Sequence, residues 1–236
     1  MRRRFRELRR DVEAIQQRDP AARGTFETVL TYPGLHAVWG YRVAHGLWVR
    51  NHKFAARLTS AFVRGVTAVD IHPGATLGPG LFIDHATGVV IGETAEVGED
   101  VTIYHGVTLG GTSLEDTKRH PTIGDRVTIG SGAKVLGAIH VGDGARIGSN
   151  AVVVKDVPEN SVVVGVPGQV VMRSHPTPDA HGIDLDNAVV PDLVGATIQS
   201  MLSRLDELEG KAGIEHEPNE VRPSTDGVWH GEDFSI

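Results

Sequence analysis

The chain has 236 residues, no cysteine and a formal net charge of −7. Without cysteine it holds no disulfide framework, thiolate metal site or cysteine nucleophile. Its arginine-rich first ten residues lead into no apolar segment, so neither a secretory signal nor a membrane span is expected, and a soluble cytoplasmic protein is. Residues 174–236 hold 3 Lys and Arg against 13 Asp and Glu, which leaves the rest of the chain mildly positive, a balance suited to an anionic cofactor.

Residues 1–66 have helical periodicity. Phe5, Leu8, Val12 and Ile15 mark one segment, Leu35, Val38, Trp39, Val43, Leu47 and Trp48 a second, and Phe54, Leu58 and Phe62 a third. Asp19-Pro20 and Pro33-Gly34 punctuate them. Glu7, Asp11 and Glu13 alternate with the arginines at helical spacing, which reads as a solvated helix face and not as a nucleic-acid or membrane contact. Such helices are too few to make a large core alone, so they should pack on the following domain or on a second subunit.

Residues 67–171 repeat every six positions. An aliphatic residue recurs at Ile71, Leu77 and Ile83, at Ile91, Val97, Ile103 and Leu109, and at Ile123, Ile129, Val135, Val141, Ile147 and Val153. A small or aliphatic residue often follows four places later, as at Ala75, Ala95, Val101, Val107, Val127, Ala133, Ala145 and Ala151. This period predicts a parallel β-helix built from hexapeptides, in which each six residues form one flat side of a three-sided coil. No coil can bury its apolar column alone, and stacking makes the core continuous.

The repeat breaks twice. Between Ile83 and Ile91 the step is eight residues and holds Asp84 and His85. Between Leu109 and Ile123 it is fourteen, which predicts an external loop over residues 110–122 ending in Lys118-Arg119-His120-Pro121. Asp70 precedes His85 by nearly one coil. A carboxylate behind an imidazole suits a general base near neutral pH, while on spacing alone a turn aspartate and a surface histidine fit equally well. His105 and His140 read as coil-surface residues. The coils contain no closely spaced histidine pair, so no metal site is expected. There is no Gly-x-Ser-x-Gly elbow and no phosphate loop.

Two stretches, Val69-Asp70-Ile71-His72-Pro73-Gly74-Ala75 and Ile83-Asp84-His85-Ala86-Thr87-Gly88-Val89-Val90-Ile91-Gly92-Glu93-Thr94, resemble the serine O-acetyltransferase family. So do Gly106-Val107-Thr108-Leu109-Gly110-Gly111-Thr112, Lys118-Arg119-His120-Pro121 and Val163-Val164-Gly165-Val166-Pro167-Gly168. The resemblance runs from about residue 18 to residue 171, with a shorter N-terminal region than in the long enteric members. It implies a left-handed β-helix, against the usual crossover hand, and a homotrimer or dimer of trimers with active sites between subunits. It implies acetyl transfer from acetyl-CoA, as co-substrate and not as a resident cofactor, to the hydroxyl of L-serine, the first step of cysteine biosynthesis. Carried over by residue, His85 is the general base, Asp70 its orienting partner and His120 a second histidine near the hydroxyl. Asp19 and Asp84 hold the substrate ammonium, and Arg119 its carboxylate. Gly111, Thr112, Ser131, Arg146 and Ser149 line the acetyl-CoA groove. Ser131 and Ser149 stand where the family often has Ala, and Arg146 where it often has Lys. Two rivals remain. Acetyl transfer to a sugar or amine would want polar sugar-facing residues where this chain has Asp84 and Arg119. An inactive scaffold would have no need of Asp70, His85 and His120.

Residues 172–236 predict one helix, from about 191 to 209, followed by an acidic stretch that reads as disordered. It ends Asp233-Phe234-Ser235-Ile236 with Trp229 nearby. In members of the resembled family a C-terminal isoleucine enters the active site of O-acetylserine sulfhydrylase, and Ile236 is the matching residue.

Overall fold

The six-residue period winds the chain into a parallel β-solenoid with three faces, seen in a computed structural model that describes residues 2–173 and 193–212. Four helices come first: α1 (Arg2–Arg18), α2 (Thr25–Thr31), α3 (Pro33–Trp48) and α4 (Lys53–Thr67). The first face stacks β1 (Asp70–Ile71), β4 (Val90–Ile91), β7 (Thr108–Gly110), β10 (Lys134–Leu136) and β13 (Val152–Val153). The second stacks β2 (Thr76–Leu77), β5 (Glu96–Val97), β8 (Thr122–Ile123) and β11 (His140–Val141). The third stacks β3 (Phe82–Asp84), β6 (Thr102–Tyr104), β9 (Thr128–Ile129), β12 (Arg146–Ile147) and β14 (Ser161–Val164). It ends in β15 (Gln169–Arg173), which pairs antiparallel with β14.

All thirteen repeating aliphatics are buried, at 8% exposure or less, and the small residues four places on are buried with them. Each such side chain contributes about 1.5–3 kcal/mol when taken from water, so the column is the main source of coil stability. Register measures the two interruptions. Asp70 pairs with Val90, a coil of twenty residues, whereas Leu109 pairs with Val135, a coil of twenty-six. The undisturbed coil from Ile91 to Leu109 takes eighteen.

The helices are built onto this column. Ala37, Val38 and Tyr41 of α3 join the core of the first coil, and the Tyr41 hydroxyl donates to the Ala75 carbonyl at 2.5 Å. Val12 and Ile15 of α1 bury against Leu35 and Phe82. Asp11 is fully buried, ion-paired with Arg42 at 2.7 Å, and accepts the Gly80 N–H. The solvated face expected of α1 holds at Arg9, 80% exposed and paired with Glu13. Arg10 and Asp11 depart from it, Arg10 binding Glu99 and Asp100 on the second coil and Asp11 buried against Arg42.

The periodic aliphatics of α4 are not its buried side. Phe54, Leu58, Phe62 and Val66 are 62–84% exposed, and Ala56, Ser60 and Thr67 are buried instead. The reason is close approach. A Cβ on Gly40 of α3 would run into Val63 of α4, and the Ser60 hydroxyl donates to the Ile71 carbonyl, so α4 faces its neighbours with Ala56, Ser60, Val63 and Thr67.

A second unit, Pro191–Ile236, contains α5 (Leu193–Ala212), close to the expected helix. Trp229, Phe234 and Ile236 lie outside the described residues. No helix among the described residues is long and apolar enough to cross a membrane.

Candidate active site

The two extra residues of the first long coil fall at the corner between the third and first faces, and they are His85 and Ala86. Both have left-handed backbones, φ 57° and 52°. For non-glycine residues this conformation costs on the order of 1–3 kcal/mol each. The bend lifts the His85 ring out of the coil, 73% exposed, with Nε2 3.7 Å from the Asp84 carboxylate. The His105 ring stands one coil above, 5.8 Å away and edge-on.

Asp84 leaves β3 half-buried at this corner. Burial pushes its carboxyl above the ordinary range, His85 pulls it down, and the nearby Asp19 carboxylate raises it again. Asp19 follows α1 and accepts a hydrogen bond of 2.7 Å from the Tyr32 hydroxyl. Burial first, then Asp19, push the Tyr32 phenol up to about 12. The Tyr104 phenol is raised by burial and by Asp84 and Asp19. Two carboxylates, two phenol donors and an imidazole thus converge here. Arg18 holds Asp19 in place: 13% exposed, it bonds the Gly80 and Val101 carbonyls, the Thr102 hydroxyl and the Asp100 carboxylate.

Further up the same corner come Ser131, Ser149 and Arg146, three of the five residues expected to meet acetyl-CoA. Backbone hydrogen bonds climb from Thr87 to Gly106, His105 to Gly132 and Ser131 to Asn150. Ser131 and Ser149 are stacked, with their hydroxyls 3.2 Å apart. Arg146 lies on β12, just before this corner.

Arg119 and His120 lie elsewhere, at the corner between the first and second faces, where the extruded loop re-enters the coil. Gly111 and Thr112 open the same loop. The Arg119 guanidinium binds Glu93 at 2.5 Å, which holds the Glu93 carboxyl below its ordinary range. His120 is buried, with Nδ1 against the backbone N–H and hydroxyl of Thr94. Burial, then Arg119, hold its imidazole below the ordinary histidine value, and His72 beside it is lowered by burial too. Outside this cluster a cleft of about 400 Å³ is lined by Trp48, Gly74, Thr76, Glu93, Glu96 and Lys118, among others.

A single chain therefore brings Asp19, Asp84 and His85 together, and Arg119 with His120, but sets the two groups at different corners. Asp70 also differs from the expectation. Its coil partner is Val90, because this coil has twenty residues, and its carboxylate lies 3.4 Å from Arg64 and not against His85. Sequence reasoning passed over Tyr32, Glu93 and Thr94. For the last two a signal existed. Glu93 precedes Arg119, and Thr94 precedes His120, by twenty-six residues, the length of the coil that carries the extruded loop.

Residues 120–155 match the family model described as bacterial transferase hexapeptide (six repeats). The serine acetyltransferase of Mycobacterium tuberculosis is 58% identical over 97% of this chain and 98% of its own length. Among solved structures, a serine acetyltransferase of Neisseria gonorrhoeae in complex with serine has a TM-score of 0.69 at 45% identity, covering 71% of this chain and 69% of that one. One of Brucella abortus in complex with coenzyme A has a TM-score of 0.71 at 44% identity, covering 73% and 69%. Near-complete overlap at such identity, on a solenoid interrupted at these two corners, places the chain in the serine acetyltransferase family.

Proposed function

We propose that this chain transfers the acetyl group of acetyl-CoA to the hydroxyl of L-serine in the cytoplasm, giving O-acetyl-L-serine and CoA as the first step of cysteine biosynthesis. The observation that carries this reading is the Asp19–Asp84 pair beside the exposed His85 imidazole. An ammonium group between those carboxylates relieves their repulsion and leaves the serine hydroxyl near the base. His85 takes the hydroxyl proton as the oxygen attacks the thioester carbon, a task worth about 10²–10⁴ in rate. The carbon–sulfur bond then breaks, and the CoA sulfur leaves with the proton that the imidazolium returns. Backbone N–H groups at Gly111 and Thr112 face the developing oxyanion. Ser131, Ser149 and Arg146 line the path of the cofactor. Arg119 takes the substrate carboxylate as a planar fork.

This arrangement needs the corner of one subunit beside a different corner of the next. A homotrimer, alone or paired into a hexamer, supplies that juxtaposition. Asp70 orients His85 once the neighbouring subunit draws Arg64 away. Ile236 docks in O-acetylserine sulfhydrylase. Thiol release from acetyl-CoA with L-serine, L-homoserine, a galactoside or no acceptor tests the assignment. Serine-dependent release is expected, and equal or faster turnover with the sugar would defeat it.

A further inference from the structure

His120 sits at the end of the extruded loop, and one residue a coil below supplies the contacts of its Nδ1. The Thr94 backbone N–H points at Nδ1 at 3.2 Å, and the Thr94 hydroxyl lies 2.9 Å from it. The same hydroxyl oxygen accepts the N–H groups of Arg119 and His120, each at 3.1 Å. A hydroxyl has two lone pairs and one hydrogen. Both lone pairs are taken by those N–H groups, so the hydrogen is what remains for Nδ1. A proton on Nδ1 would face two donors and find no acceptor.

We propose that Thr94 fixes His120 as its neutral Nε2–H tautomer, so that this histidine meets the substrate as a hydrogen-bond donor and not as a base. The inference rests on reading His120 as a substrate contact in acetyl transfer. The other edge of the ring agrees with it. Nε2 lies over Gly92 and beside Gly111: a Cβ on Gly92 would run into the ring, and one on Gly111 would stand 3.3 Å from Nε2. The N–H thereby lies against Gly92 and Gly111, and Gly111 is one of the residues proposed to meet acetyl-CoA. The charged neighbours are Arg119, Lys118, Glu93 and His72. Burial, the largest influence, disfavours a second proton, as do Arg119 and Lys118, while Glu93 favours it. Proton abstraction is then left to His85 alone, and Thr94 is a positioning residue.

The test is a long-range imidazole ¹H–¹⁵N spectrum of the full-length protein labelled at histidine nitrogen, with His120 assigned by its loss in His120→Gln. His120 is expected to keep the Nε2–H pattern through the ordinary histidine range around pH 6.5. Thr94→Ser should preserve that pattern. Thr94→Val should mix the tautomers, lower kcat/KM for serine by about tenfold and add a second ionisation to its pH profile. His120→Gln, which keeps an N–H near that position, should retain more activity than His120→Ala. An Nδ1–H pattern or an ordinary titration in the wild type overturns the proposal, as does an unchanged spectrum in Thr94→Val. Should Thr94→Val fail to fold, the wild-type and Thr94→Ser spectra decide. The expected spectrum without serine acetylation would leave the tautomer standing and remove the substrate reading.

Discussion

Asp84 answers to two opposing demands. Half-buried beside Asp19, its carboxyl sits above the ordinary range, yet only the ionised form can hold an ammonium group. A raised carboxyl contributes stability that is present below its unfolded value and lost as pH rises through the folded one. Asp84→Asn should therefore be at least as stable as the wild type at pH 7 in thermal unfolding. Its KM for serine should rise about 10- to 100-fold, from the loss of a charge-assisted bond worth about 1.5–3 kcal/mol. In the wild type, KM should climb as pH falls, beginning above the ordinary carboxylate range, and the variant should lose this dependence. His85 stands in simpler circumstances. Its ring is largely exposed and its nearest carboxylate is beyond hydrogen-bond range. His85→Ala should leave the circular dichroism and melting temperature in place and lower kcat by about 10²–10⁴. Breaks in a regular period single out Asp84, His85, Arg119 and His120 in the sequence, while the roles proposed for them come from the family resemblance, since spacing alone fits a surface histidine equally well. Tyr32 is not singled out in this way, since its role depends on how α1 and α2 fold back, which no local pattern records.

At the scale of elements, where Asp19 stands is fixed by the anchoring of α1. Arg10 fastens it to Glu99 and Asp100, Arg42 to the buried Asp11, and Arg18 sits one residue before Asp19 with four partners on the coils. Arg18→Met should release this end, raising KM for serine about tenfold while kcat stays within about threefold, as read by steady-state kinetics. Arg18→Lys should not restore it, because an ammonium cannot span those acceptors as a planar fork does. The coils were readable in advance because a period of six sets one large and one small inward residue on each side. The burial of α4 was not. Helical periodicity marks its apolar stripe, but α4 meets α3 and β1 through Ala56, Ser60 and Val63, the last packed where α3 has Gly40.

For the whole molecule, the division of the site between two corners decides what an isolated subunit can do. If each active centre draws His85 from one subunit and His120 from the next, two different inactive variants can repair each other. His85→Ala and His120→Ala proteins, unfolded together and reassembled, should regain a substantial fraction of activity, whereas either alone should not. Analytical ultracentrifugation of the wild type should give a trimer or larger, and a fully active monomer would remove the shared centre. The exposed stripe Phe54, Leu58, Phe62 and Val66 gives such an assembly apolar surface to cover.

A stack of identical rungs has no natural place to stop, since its last strand offers the same unpaired N–H and C=O groups that recruited each rung before it. On the third face, the reversal at β15 closes the stack. By running antiparallel along β14, with its register shifted between Val162 and Val163, β15 occupies that edge with a strand of the wrong direction for another coil. At the opposite end, Ala37, Val38 and Tyr41 of α3 pack into the core of the first coil. Truncation after Gly168 should uncover β14 and produce concentration-dependent end-to-end filaments, visible by light scattering and electron microscopy. Truncation after Arg173 should stay dispersed. The five residues of β15 thus act as a terminator of polymer growth, a task separate from catalysis and one that every solenoid of this kind must solve.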